Sequence, residues 1–160
     1  MRAGAIDTHN VTATDVVWQL ARTMAASHNM TLDVDWFAMP ENAKSGRFWS
    51  RTHSHGCKGV DAMKAPSWAE FPCDSCGCLH DQGAFLFPPL PMAAVVVDKA
   101  KRDGARGVAI VPFAPNSKWW PALAEACTEI VELPQAPIEP LANADASYAR
   151  VNWRICCFDF

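Results

Sequence analysis

The chain lacks any apolar run near the roughly 18 residues that a membrane-crossing helix needs. Its longest candidates, Ala93–Val97 and Val108–Phe113, are too short and read as core elements. The N-terminus lacks the charged, apolar and small-residue order of a signal peptide. There is no internal repeat and no low-complexity tract. A basic excess is missing too. Net charge is −3 and the pI is near 5.9, whereas a stand-alone nucleic-acid binder usually carries a basic field, because phosphate neutralisation supplies most of its affinity. Lys99, Lys101, Arg102 and Arg106 cluster locally, but Asp98 and Asp103 sit among them, and the group reads as a solvated helix face.

What is present is globular composition. Half of the 160 residues are apolar and 19% are charged, which excludes a disordered chain. The length suits one ordinary domain or two small ones. Seven cysteines is an odd and high count, and four of them fall between Cys57 and Cys78. That spacing does not resemble a secreted disulfide framework, so an intracellular, reducing compartment is expected. Seven tryptophans imply large buried contacts or interfaces, since each carries much apolar area and an N–H that needs a partner.

Periodicity outlines the elements. Thr12 or Thr14 caps an expected helix from about Asp15 to His28, with Val17, Leu20, Ala21 and Met24 on one face and Asn29 suited to a left-handed stop. Thr31–Phe37 alternates as a half-buried strand, with Asp33 and Asp35 on its solvent face. Ala43–Arg51 reads as a short helix, and Gly59–Met63 as a short strand inside a loop-rich stretch. Then follow a strand at Gly83–Phe87, a helix at Met92–Asp103 stopped by Gly104, and a strand at Gly107–Pro112. A helix capped by Asn116 or Ser117, a strand at Glu129–Leu133 and a last strand at Val151–Asp159 complete the series. Strand–helix alternation from Gly83 to Leu133 is the pattern of a doubly wound α/β sheet.

Two stretches carry family likeness. His28-Asn29-Met30-Thr31-Leu32-Asp33-Val34-Asp35-Trp36, followed by Pro40-Glu41-Asn42 and Trp49-Ser50-Arg51, resembles the C-terminal end of ribonuclease-H-like domains in retroelement polymerases. That family binds two Mg²⁺ ions on several carboxylates, because two metals clamp the attacking and leaving oxygens of a phosphodiester. Here Ser45-Gly46 occupies the Ala-Asp position of the family's last helix, and Gly46 has no ligand to offer. Asp7 is the match to a second family aspartate. Residues 1–51 are too few for a complete ribonuclease H sheet, so the resemblance implies a truncated piece.

The second stretch comprises Val60-Asp61-Ala62-Met63, Phe85-Leu86-Phe87-Pro88-Pro89-Leu90, Ala105–Pro112 and Trp119-Trp120-Pro121. It is similar to the adenine-methyltransferase-like segment of phages and DIRS-type retroelements, which lies downstream of ribonuclease H. In that family an Asn or Asp before the Pro pair accepts a hydrogen bond from the target amine, and an aromatic residue after it stacks on the flipped base. Phe87 and Leu90 stand at those two positions here, and neither side chain suits its task.

Together the resemblances imply a Rossmann-like methyltransferase remnant, a small parallel or mixed sheet with flanking helices, joined to a ribonuclease-H-like piece. The expected divisions are 1–51, a Cys/His-rich connection at 52–82, and an α/β domain at 83–160. The expected function is that of a non-catalytic, retroelement-derived structural subunit. Its partners would be other proteins of a larger assembly, one that can include nucleic acid. The alternatives are a DNA adenine methyltransferase and a zinc-dependent nucleic-acid-binding module. If cofactor binding is retained, the resemblance puts Asp61, Pro88 and Pro89 at S-adenosylmethionine and the base.

Cys73-x-x-Cys76-Gly-Cys78-x-His80 has the spacing of a zinc knuckle. Cys73, Cys76 and His80, with Cys57 or His55 as the fourth ligand, would form a closed structural zinc site clamping the loop. A loop of reduced cysteines and surface histidines is the plainer alternative. Trp119-Trp120 reads as one core residue and one interface residue, with base stacking as the sharper reading. Cys156 and Cys157 read as buried strand thiols.

Overall fold

The computed structural model describes residues 11–13, 15–37, 47–50, 59–70, 82–133, 138–140 and 152–160. Strand β1 (Val11–Ala13) pairs antiparallel with β8 (Ile138–Pro140), apart from the main sheet. Because β1 holds Thr12, that residue extends a strand and does not cap the helix. Helix α1 (Asp15–Ser27) buries Val17, Ala21, Met24 and Ala25, the apolar stripe its period foretells, and Asp15 lies in the first turn, where the helix dipole favours a carboxylate. Asn29 ends it at φ 61, with Asn29 N–H donating to Ala26 and Met30 N–H to Ala25, which satisfies two otherwise orphaned carbonyls.

The chain then enters β2 (Thr31–Asp35), β3 (Arg47–Ser50) and β4 (Gly59–Val60). β3 replaces the short helix expected there. Its backbone pairs with β2 on one side and β4 on the other, and this pairing overrides the local helical reading. A 3-10 turn at Ala62–Lys64 follows, and later β5 (Gln82–Leu86), a 3-10 turn at Leu90–Met92, α2 (Ala93–Asp103) and β6 (Arg106–Pro112). Gly104 stops α2 at φ 64, its N–H reaching the Ala100 and Lys101 carbonyls. Helix α3 (Trp120–Ala126) runs without a loop into β7 (Cys127–Leu133), and β9 (Trp153–Asp159) closes the fold.

Seven strands form one mixed sheet in the order β4-β3-β2-β5-β6-β9-β7. β4, β3, β2, β5 and β6 are mutually parallel, and β9 runs antiparallel between β6 and β7. β2 lies between β3 and β5, so residues from all three expected divisions share this sheet.

Both faces are covered, which explains why β5 and β6 are nearly continuous apolar runs. On one face α1 packs over Leu32, Phe85, Val108, Ile110, Trp153, Ile155 and Cys157. On the other, α2, α3 and the Ala62–Trp68 segment cover Val34, Trp36, Ala84, Leu86, Ala109, Val111, Cys156 and Phe158. Large side chains such as Phe85 and Ile155 are wholly enclosed, each contributing about 1.5–3 kcal/mol of transfer free energy. Gly107 allows β6 to approach β5: a Cβ there would lie 2.0 Å from the Ala84 carbonyl oxygen.

Two-sided cover corrects the reading of Asp35 as solvent-facing. Its residue is 3% exposed, and Oδ1 accepts the Phe37 N–H at 3.4 Å. The solvated-face reading of α2 is corrected in the same way at Lys99 and Asp103. Lys99 is 3% exposed and shares the buried stripe with Val96 and Ala100. Arg102 and Asp98, by contrast, form the exposed i,i+4 pair expected of a solvated face, 3.6 Å apart. Among the described residues no helix is long and apolar enough to cross a membrane.

Candidate functional site

In an open α/β sheet, ligands bind beyond the carboxyl ends of the strands where the strand order reverses, because neighbouring crossovers leave a crevice there. Here the order reverses between β2 and β5: β3 and β4 continue on one side, β6 on the other. The residues leaving these two strands therefore form the candidate site.

On the β2 side Trp36 prolongs the pairing by donating its N–H to the Phe85 carbonyl at 3.3 Å. Its indole is 1% exposed and lies 5.8 Å from the Trp68 ring, and Phe37 meets Trp68 edge-on at 5.9 Å. The exit of β2 is thus packed with aromatic rings. Trp68 is itself fixed by its indole N–H donating to the Ala62 carbonyl at 3.0 Å.

On the β5 side Phe87 turns into the core beneath α1. It is buried, and its ring stands edge-on to Trp153 with centroids 5.7 Å apart. Leu90, four positions past Leu86, packs against the same core. Pro88 lines an apolar crevice with Leu86, Val96, Leu123 and Phe158, and Pro89 precedes the 3-10 turn, its carbonyl accepting the Met92 N–H. Proline suits this place, since a chain leaving a central strand has no ladder partner for an N–H.

Asp61 lies at the same edge, two strands from β2 and so about 10 Å to the side. Its φ is 62, and its carboxylate caps the 3-10 turn by accepting the Met63 N–H at 3.1 Å. Aspartate takes positive φ more readily than most residues and makes this local bond, which gives the residue a structural reason. The structure thus places Asp61, Pro88 and Pro89 on one edge of the sheet but does not gather them into one cluster. Cys57, Cys73, Cys76 and His80, like His55 and Asp7, lie outside the described residues. Among the described residues no group of three His, Cys, Asp or Glu side chains is arranged to hold a metal ion.

Further along the edge, past β6, an aromatic and cationic cluster comes together that the sequence marks only in part. Trp119 and Trp120 are both half-buried, 5.7 Å apart, so neither is a fully enclosed core residue. Phe113 meets Trp120 edge-on at 5.3 Å, and the Arg154 guanidinium lies 4.2 Å from the Phe113 centroid. Phe113 is 42% exposed. Its N–H is tied to the Asn152 carbonyl, so β9 fixes the position of the cluster. The Trp pair is visible in the sequence. Phe113 and Arg154 depend on β6–β9 pairing across more than forty residues and carry no local signal.

In comparisons with known proteins, no family model, no curated protein and no solved structure matches the chain.

Proposed function

We propose that this chain is a methyltransferase-like α/β domain of retroelement origin that has lost methyl transfer and serves as an interaction subunit of a larger assembly. The observation that carries the reading is Phe87. At the exit of β5, where the resembled family needs an acceptor for the target amine, stands an apolar ring buried against Trp153. A phenyl group offers no lone pair, and this one faces away from the edge into the core. The run β4-β3-β2-β5-β6 supports a doubly wound, Rossmann-like origin, since it is the 3-2-1-4-5 portion of that sheet.

The described residues at the crevice suit S-adenosylmethionine poorly. Trp36 and Phe37 fill the β2 exit, and the Asp61 carboxylate is engaged in capping its own turn. The part-exposed Phe113, Trp119 and Trp120 supply an aromatic face of the kind enriched at protein interfaces. The zinc reading of Cys57, Cys73, Cys76 and His80 belongs to the same proposal, as a structural clamp on the connecting segment.

The test is isolation of the chain from its source in native form, with mass measurement, beside a DNA methyl-transfer assay using labelled S-adenosylmethionine. Stoichiometric association with other proteins and no transfer are expected. A free chain that binds S-adenosylmethionine and turns over would overturn the proposal in favour of an adenine methyltransferase.

A further inference from the structure

Three described cysteines converge on the antiparallel pair β7 and β9. Cys127 opens β7 directly opposite Phe158, and Cys156 lies two residues before Phe158 on β9, hence on the same face of the sheet. The ladder shifts register between Cys127 and Glu129, so the start of β7 is locally irregular beside Cys156. Cys127 and Cys156 both pack into the core under α2 and α3, whereas Cys157 projects into the opposite core under α1. Cys127, opposite Phe158, and Cys156, opposite Ile130, are thus diagonal neighbours on one face of the ladder. Their access differs: Cys127 is partly exposed, and Cys156 is fully enclosed.

We propose that Cys127 and Cys156 form a redox-active dithiol, in which Cys127 exchanges with a small-molecule disulfide and Cys156 resolves the adduct into a β7–β9 disulfide. The chemistry follows from the asymmetry. Cys156 keeps its proton and donates it to the Cys127 sulfur, which draws the Cys127 pKa below the ordinary thiol value. The same interaction, and then burial, drive Cys156 far above it. Cys127 is therefore the thiolate that an oxidant can reach.

The Cys127 thiolate attacks one sulfur of the disulfide RSSR, forming Cys127–S–SR and releasing RS⁻. Cys156 then gives up its proton to RS⁻, attacks the Cys127 sulfur and expels the second RS⁻, which takes the proton that Cys127 lost to solvent. In sum, two protein thiols and RSSR become one protein disulfide and two RSH. Closing the bond requires these diagonal neighbours to come within disulfide range, at the point where the ladder shifts register.

The test incubates the folded full chain with oxidised glutathione, followed by alkylation and peptide mapping by mass spectrometry without reduction. A Cys127–Cys156 linked peptide is expected, with both residues lost to alkylation. Before oxidation, iodoacetamide at neutral pH should label Cys127 at least about tenfold faster than Cys157. Cys156→Ala should stop at a glutathione adduct on Cys127. Cys127→Ser, a near-isosteric change at a part-exposed position, should leave Cys156 unmodified. A stable glutathione adduct on Cys127 of the unmodified protein, or an unreacted Cys127 while other cysteines oxidise, would overturn the assignment.

Discussion

Lys99 and Asp103, one turn apart on α2, form an ion pair of 2.8 Å that is almost wholly closed to solvent, with side chains 3% and 9% exposed. The pair does more than neutralise itself. Lys99 Nζ donates to the Ala65 carbonyl at 2.7 Å, Asp103 Oδ2 accepts the Trp68 N–H at 3.0 Å, and the ammonium lies 5.2 Å from the Trp68 ring. Three contacts thus pin the segment after β4 to α2, and through Trp68 they hold Trp36 and Phe37 in place at the sheet edge.

Lys99→Met should therefore destabilise the fold by about 3–5 kcal/mol, because it leaves the Asp103 carboxylate buried without its counter-charge. The double variant Lys99→Met with Asp103→Leu should recover part of that loss, although the Trp68 N–H and the Ala65 carbonyl remain unpaired. Denaturant unfolding of the two variants measures both. If the single variant unfolds like the parent, the pair contributes no such anchoring.

Two glycines separate close approach from backbone conformation. Gly107→Ala puts a methyl group 2.0 Å from the Ala84 carbonyl oxygen, so β5 and β6 must part at the centre of the sheet. A loss of about 3 kcal/mol or more is expected. Gly104→Ala meets nothing within 4 Å and suffers only from its φ of 64, which costs about 1 kcal/mol. Thermal or denaturant unfolding should rank the two well apart, and equal losses would contradict the interstrand contact.

These contacts also show what can be read before folding. The apolar runs of β5 and β6, bounded by Pro88-Pro89 and Gly104, and the α1 stripe ending at Asn29 are local signals, and each element lies within a residue or so of expectation. Arg47–Ser50 has no such signal, because its strand exists by pairing with β2 and β4. The burial of Lys99 is hidden because its partners at Ala65 and Trp68 are more than thirty residues away. Yet Val96, Lys99, Ala100 and Asp103 fall at i, i+3, i+4 and i+7, a buried stripe that two charges disguise. At the candidate site the apolar residue at position 87 is legible from the sequence. That its ring turns inward onto Trp153, and that Arg154 covers Phe113, are consequences of β9 inserting beside β6.

The thiols of β9 set an alkaline limit on stability. Burial, first among several causes, raises the Cys157 pKa, and the bond to Cys127, then burial, raises that of Cys156. In the unfolded chain both ionise near the ordinary value of about 8.5. Their contribution is thus complete below that pH and is lost as pH rises, by up to about 1.4 kcal/mol per pH unit for each thiol that stays protonated. Cys127, whose pKa is lowered, acts in the opposite sense: its contribution is present above the unfolded value and lost as pH falls through the folded one. Under reducing conditions the melting temperature should fall from neutral to alkaline pH, and Cys156→Ala should flatten the slope. A slope unchanged by that variant would remove the role given to Cys156.

The Cys/His-rich connection makes a prediction about metal content. If Cys73, Cys76, His80 and Cys57 hold structural zinc, the purified chain should carry it stoichiometrically. Cys76→Ser should lose the metal and lower the melting temperature, as chelation should in the parent, because structural zinc binding contributes directly to folding. Metal analysis of parent and variant decides the matter, and a metal-free, equally stable parent would leave those residues as a loop of reduced thiols.

Phe87 allows the functional reading to be attacked directly. If the chain were a methyltransferase lacking only its acceptor, Phe87→Asn should restore one and bring transfer with it. The non-catalytic reading expects otherwise: position 87 faces Trp153 within the core under α1, and an asparagine there would bury an amide among apolar groups. The variant should lose about 3–5 kcal/mol, the usual cost of removing a buried phenyl ring, and gain no transfer of label from S-adenosylmethionine to DNA. Phe87→Leu keeps the apolar contact and should fold nearly as well, which separates the packing role from chemistry. Transfer appearing in the Asn variant alone would mean that the edge remains organised for catalysis, and the non-catalytic reading would have to be given up.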